Sequence, residues 1–304
     1  MSPAVAELRI PLRYLTLSAK TWGDPRHPPM LALHGWLDNA GSFDRLAPLL
    51  DSHYLVALDL AGHGRSDHRA PGNWYAYVDY LGEIAEVIAW FGWRHVDLLG
   101  HSLGATLVSA YAAIFPEKVS RLLLIEGLGP IVTSAEKTLE QLRGALSARA
   151  AFKGDLRVFP AIERAVDARR RASGLSNDAA RCLVERGTRH VDAQDSADEG
   201  GAMSSGYVWS SDPRLTLPSA QRFSEEQLAF VLPAIRAPTL LVLAEPEAPY
   251  LQRAMIEARI ARVADIEVVR FAGSHHLHLE DAPPVAQAIR SFLHRHPAQT
   301  AGAS

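Results

Sequence analysis

Four short runs in the first half of the chain are almost wholly apolar: residues 30–33, 54–60, 96–99 and 122–125. Longer amphipathic stretches at 39–50, 75–91 and 103–115 lie between or after them. In the second of these, Leu81, Ile84, Val87, Ile88 and Phe91 recur at helical spacing. A strand with no polar face is buried on both sides, and parallel neighbours need a crossover, usually a helix. The alternation therefore predicts an α/β fold: a mostly parallel central sheet flanked by helices.

The alternation stops at about residue 130 and resumes at 239–243, followed by helix 252–263, strand 266–271 and helix 284–293. Between these points no comparable apolar strand is visible. Stretches 138–152, 161–172 and 179–186 read as helices, and 192–201 as a polar loop. An excursion of roughly a hundred residues is too long for an ordinary connection. The reading is a core domain of residues 1–129 and 236–304, interrupted by a helical cap at 130–235. The cap leaves from the end of a strand, the edge where open α/β sheets bind ligands.

The composition excludes several classes. A net charge of −3 gives no footprint for nucleic acid or an anionic membrane. One cysteine, Cys182, allows neither an internal disulfide nor a cysteine-based zinc site. Residues 1–9 lack the apolar core of a secretory signal, and no apolar run approaches the roughly 20 residues that span a bilayer. A cytoplasmic protein is expected, without nucleic-acid or membrane partners; homodimer assembly is left open. No P-loop or H-E-x-x-H helix occurs, and Gly62-x-Gly64 lacks the third glycine of a dinucleotide loop, reading instead as a tight turn. His275, His276, His278 and Glu280 fit no metal-site spacing well, so neither metal nor cofactor is expected. The run Arg169-Arg170-Arg171 reads as a solvated helix face.

The chemistry concentrates at Gly100-His101-Ser102-Leu103-Gly104. An apolar strand precedes it and an amphipathic helix follows, the context that a nucleophile elbow requires. A sharp strand-to-helix turn crowds the residues two before and two after the serine, and both are glycine. The turn lifts the Ser102 hydroxyl to the start of a helix, where developing negative charge is favoured. Serine needs a base. The segment 272–280, between a strand and a helix, carries His275 as the chosen base and His276 as the fallback, with His278 packing or capping the next helix. A carboxylate must orient the imidazole. Glu247, after strand 239–243, is preferred; Glu126, at the end of strand 122–125, stays open, and Glu245 is a weaker third. For the oxyanion, the expected donors are the backbone N–H groups of Leu103 and of Trp36, beside the permissive Gly35. His34, Gly35 and His101, with Tyr207 and Trp209 of the excursion, are the expected substrate-facing residues.

With these residues in place, the chain resembles the α/β-hydrolase superfamily, and within it the serine hydrolase-like, esterase-type proteins. The resemblance is carried by the segment 34–46, which opens His34-Gly35-Trp36-Leu37-Asp38-Asn39, by 59–66, by the Ser102 elbow, and by Gly206-Tyr207-Val208-Trp209 leading to Asp212-Pro213-Arg214-Leu215. It implies the α/β-hydrolase fold, a catalytic serine, a helical cap and no cofactor. Most members carry the acid after the strand that here ends at Leu243, where Ala244 and Glu247 stand for the usual glycine and aspartate; this departure keeps Glu126 in play. The expected function is hydrolysis of small carboxylic esters or thioesters through an acyl-enzyme. The alternatives are carbon–carbon bond hydrolysis or cofactor-free perhydrolysis on the same triad, or ligand binding without catalysis.

Overall fold

A computed structural model describes residues 5–192, 205–248 and 251–297. In chain order the elements are β1 (Ala6–Pro11), β2 (Thr16–Trp22), β3 (Pro29–Leu33), β4 (Tyr54–Leu58), α1 (Tyr77–Trp90), β5 (Val96–His101), α2 (Leu103–Ile114), β6 (Val119–Ile125), α3 (Thr138–Ala151), α4 (Ile162–Ser173), α5 (Asn177–Gly187), β7 (Thr188–Val191), β8 (Gly206–Trp209), α6 (Glu225–Val231), β9 (Thr239–Glu245), α7 (Arg253–Ile260), β10 (Ile266–Ala272), α8 (Leu277–Glu280) and α9 (Ala282–Arg295).

Eight strands form one sheet in the order β1-β2-β4-β3-β5-β6-β9-β10. All pairs are parallel except β1 with β2 and β2 with β4. The apolar runs are buried on both faces, as their lack of a polar side requires. Leu31, Leu33, Val56, Leu58, Leu98 and Leu241 face a core shared with α1 and α2. Their alternate neighbours Met30, Ala32, Leu55, Ala57, Leu99 and Val242 face a second core, closed by Val285, Ile289 and Phe292 of α9.

Three features depart from the sequence reading. The antiparallel pair β1–β2 extends one edge. The stretch 39–50 is not an α-helix but two 3₁₀ turns, Ala40–Phe43 and Ala47–Leu49. Its backbone donors go elsewhere: the Asp59 carboxylate accepts from Ala40 N (2.8 Å), and the Asn39 side chain accepts from Gly41 N (3.0 Å). Between β6 and β9, helices α3, α4 and α5 fall where expected. That segment also holds an antiparallel β7–β8 pair and the short α6, which starts at a Ser224–Gln227 capping box. Most of the polar loop expected at 192–201 lies outside the described residues. The segment has a small core of its own, built on Phe159, Val166, Leu183 and Val184 and touching Leu279 of α8. Among the described residues no helix is long and apolar enough to cross a membrane.

Candidate active site

Ser102 sits between β5 and α2 with φ +51° and ψ −114°. A side chain is strained in this left-handed region, at a cost of order 1–3 kcal/mol. The surrounding fold holds it there. Ser102 N donates to Ile125 O of β6 (2.9 Å), and Gly104 N donates to His34 O at the end of β3 (3.0 Å). The flanking glycines are obligatory. A Cβ on Gly100 would lie 2.5 Å from the backbone of Gly104 and Ala105, and one on Gly104 would lie 1.9 Å from Leu33 O. The same closeness sets the first turn of α2 against the loop after β3, so Leu103 and Trp36 share one neighbourhood.

Of the two carboxylates, it is Glu126 that meets the histidine. His275 Nδ1 lies 3.1 Å from Glu126 Oε2, and the other oxygen, Oε1, accepts from Ala244 N at 2.6 Å. Glu126 is 1% exposed and, like Ser102, holds a left-handed backbone, with φ +57°. The sheet register produces this placement. Ile125 pairs with Val242, and Glu126 N donates to Val242 O (2.9 Å), so the chain turns its carboxylate across the end of β9. The contact is thus made by Glu126, the candidate left open, where the sequence reading prefers Glu247. Glu247 lies beyond β9, where a hydrogen bond from its own backbone N–H and another from Arg253 hold its carboxyl below the ordinary range. Glu245 also faces Arg253.

Burial disfavours the charged form of His275 and pushes its pKa below the usual imidazole value, while Glu126 works in the opposite direction. His276 is buried, with Nε2 3.2 Å from Asp38 Oδ2. His278 is buried on α8 and meets Ser42 Oγ at 2.8 Å.

His34 and His101, expected to face the substrate, are fully buried. His34 Nε2 accepts from Leu60 N (3.0 Å), which fixes its tautomer, with Nδ1 at Gly35 O (2.7 Å). His101 Nε2 donates to the carbonyl of His275 (2.9 Å). Gly35 makes room for this inner layer: its Cβ would lie 3.0 Å from both Asp38 Oδ2 and His101 Nδ1. The Trp36 ring is about half exposed, and its indole N–H donates to Leu215 O (2.9 Å) in the 130–235 segment. Tyr207 and Trp209 join that segment's own core, Trp209 edge-on to Phe159 and Tyr207 to His190.

Sequence reasoning missed Asp38, Asp59, Arg169 and Arg186. Arg169 is no solvated face: its guanidinium bonds Asp38 and it is largely buried. Arg186 of α5 grips Asp59, which is 0% exposed, at 2.9 and 3.0 Å. Among the described residues one group has metal-like spacing: ligand atoms of Asp38, His101 and His276 lie within 4.8 Å of one another. The Arg169 cation occupies the same carboxylate and opposes a second cation there.

Residues 28–183 match the family described as the alpha/beta hydrolase fold. A probable serine hydrolase of Drosophila melanogaster is 32% identical, over 94% of this chain and 87% of its own. A hypothetical protein of Pseudomonas aeruginosa PAO1 superposes with a TM-score of 0.86 at 39% identity, over 95% of this chain and 99% of that one. The thioesterase domain from the curacin biosynthetic pathway superposes with a TM-score of 0.79 at 26% identity, over 94% and 99%. The chain belongs to the α/β-hydrolase family and is similar to its serine hydrolase-like members.

Proposed function

We propose that this hydrolase cleaves small carboxylic esters or thioesters through an acyl-enzyme, with Ser102 as nucleophile, His275 as base and Glu126 as the orienting acid. The observation that carries the reading is the 3.1 Å contact of His275 Nδ1 with the buried Glu126 carboxylate, together with a serine held in a strained elbow next in the chain to His101, whose ring bonds the His275 carbonyl. A carboxylate only accepts, so it keeps the hydrogen on Nδ1 and leaves the Nε2 lone pair for the serine proton.

Ser102 Oγ attacks the carbonyl carbon as its proton passes to His275 Nε2. The oxyanion is held by the N–H groups of Leu103 and Trp36, which Gly104 and Gly35 allow to approach each other. His275 then protonates the departing alcohol or thiol. Water, deprotonated by the same nitrogen, attacks the acyl-enzyme and frees the acid and Ser102. Residues 130–235 act as a cap over this edge, between core segments 1–129 and 236–304, and limit the substrate to small molecules. The resemblance to a thioesterase domain supports thioesters alongside oxygen esters.

The test is a panel of p-nitrophenyl esters and acyl thioesters of graded chain length, run on wild type and Ser102→Ala. Wild type should turn over the short members, and Ser102→Ala should lose at least about 10³-fold in kcat/KM. A Ser102→Ala protein with wild-type turnover contradicts the reading.

A further inference from the structure

Behind His275 lies a buried polar chain that the proposed chemistry does not use. It begins on α4, where the Arg169 guanidinium bonds Asp38 Oδ1 and also reaches Leu37 O (3.3 Å), one residue past the Trp36 donor. Leu37 is itself held at φ +59°. Asp38 Oδ2 lies 3.5 Å from His101 Nδ1, longer than a hydrogen bond and attractive only to the protonated ring, the form that burial disfavours and Asp38 favours. His101 Nε2 donates to the His275 carbonyl at 2.9 Å. A carbonyl only accepts, so this nitrogen carries a hydrogen and the ring's orientation is fixed. Asp38 is 2% exposed and His101 0%. Gly35 leaves just enough space for the pair.

A buried carboxylate needs compensation, and Asp38 draws it on its two oxygens, from His276 of the core at Oδ2 and Arg169 of the cap at Oδ1. Four separate elements thus meet in one line: the cap helix, the loop after β3, the end of β5 and the loop after β10. The line runs from the cap helix, where Arg169 also touches the loop that carries Trp36, to the peptide of the base.

We infer that Asp38, acting through His101, is a positioning residue for His275, and that Arg169 makes this positioning depend on the cap being docked. The inference rests on the reading of His275 as the base. A docked cap places Arg169 on Asp38; Asp38 then holds His101 in register, and His101 pins the His275 carbonyl. With Arg169 withdrawn, Asp38 is left buried with less compensating charge and the pin loosens. A misplacement of the base of about 1 Å costs on the order of 10²-fold in rate.

The test uses Arg169→Gln, Asp38→Asn and the double variant, each checked for wild-type-like circular dichroism and thermal unfolding. The first readout is the rate constant for labelling of Ser102 by an ethyl fluorophosphonate. Each single variant should be slowed about 10- to 100-fold, and the double variant should be no slower than the worse single, because both cut one chain. Arg169→Lys, which keeps the charge, should recover part of the rate. The second readout needs no catalysis: the His101 ring N–H, assigned in ¹⁵N-histidine spectra by its loss in His101→Gln, should exchange with solvent at least about tenfold faster in Arg169→Gln than in wild type. Folded variants with wild-type labelling and exchange overturn the inference, as does additive slowing in the double variant. Wild-type protein that the probe does not label instead sinks the triad reading, and with it the role given to Asp38; the ring-proton result tells that failure apart from failure of the pin.

Discussion

Replacing Glu126 by glutamine tests the identity of the acid through the structure's own constraints. The carboxylate has two obligations: Oε1 accepts from Ala244 N (2.6 Å) and Oε2 faces His275 Nδ1 (3.1 Å). An amide has one oxygen and one NH₂ and can meet only one of them. If the oxygen stays on Ala244 N–H, the NH₂ points at Nδ1, which must become an acceptor. The ring hydrogen then moves to Nε2, and His275 cannot take a proton from Ser102. If the amide flips, Nδ1–H is satisfied but the buried Ala244 N–H is left without its acceptor, at about 1–3 kcal/mol. In either pose the charge that stabilises the imidazolium is gone, worth about another 1.5–3 kcal/mol for a charge-assisted hydrogen bond. In the flipped pose the sum, about 2.5–6 kcal/mol, corresponds to about 10²–10⁴-fold in kcat/KM at 1.36 kcal/mol per decade. Steady-state hydrolysis of p-nitrophenyl acetate reads it directly, alongside Glu247→Gln, which should remain within about twofold of wild type because that carboxylate pairs with Arg253 near the surface. A hundredfold loss in Glu247→Gln with near-normal Glu126→Gln would refute the reasoning.

Three further outcomes follow from the packing. Gly104→Ala should prevent folding or cost more than about 3 kcal/mol, since its Cβ would meet the Leu33 carbonyl at 1.9 Å. Gly144→Ala, in α3 with nothing within 4 Å, should instead raise stability by about 0.5–1 kcal/mol; thermal unfolding of both variants checks the pair. Burial lowers the pKa of His34 to about 4 and of His63 to about 3. The folded state therefore keeps both neutral, while the unfolded chain protonates them below about pH 6.5. Their contribution is fully present above that value and is lost as pH falls, by about 2 kcal/mol each at pH 5. Urea midpoints at pH 7.5 and pH 5 should differ accordingly, and equal midpoints would contradict it. Arg186→Gln leaves Asp59 buried without its cation; Ala40 N and Arg65 N still donate to it, so a loss near about 3 kcal/mol is expected in urea unfolding.

The parallel strands were legible because full burial on both faces leaves an unbroken apolar run. The pair β1–β2 was not, since β1 is largely exposed along its length and carries Glu7 and Arg9 among its apolar residues. The 39–50 stretch has helical periodicity, but Gly41 packs its backbone against Cys182 O, where a Cβ would lie 2.6 Å away, and Asp59 takes a donor a helix would use. Tertiary contact there overrides a local pattern. Ser102 and its glycines could be read because the crowding that demands them is local. The partner of His275 could not, because Glu126 and Glu247 both stand at strand ends. The β6–β9 register separates them, together with a left-handed turn at Glu126, and neither has a signature in the letters. Arg169 was hidden in a run of three arginines whose faces differ only once α4 is docked on the loop after β3.

The proposed chemistry requires one covalent bond. Folded protein treated with a small fluorophosphonate should gain the mass of a single phosphonyl group, and peptide mapping should place it on Ser102, with no gain in Ser102→Ala. An unmodified mass, or an adduct on another residue with Ser102 untouched, would contradict the claim that this serine is the nucleophile.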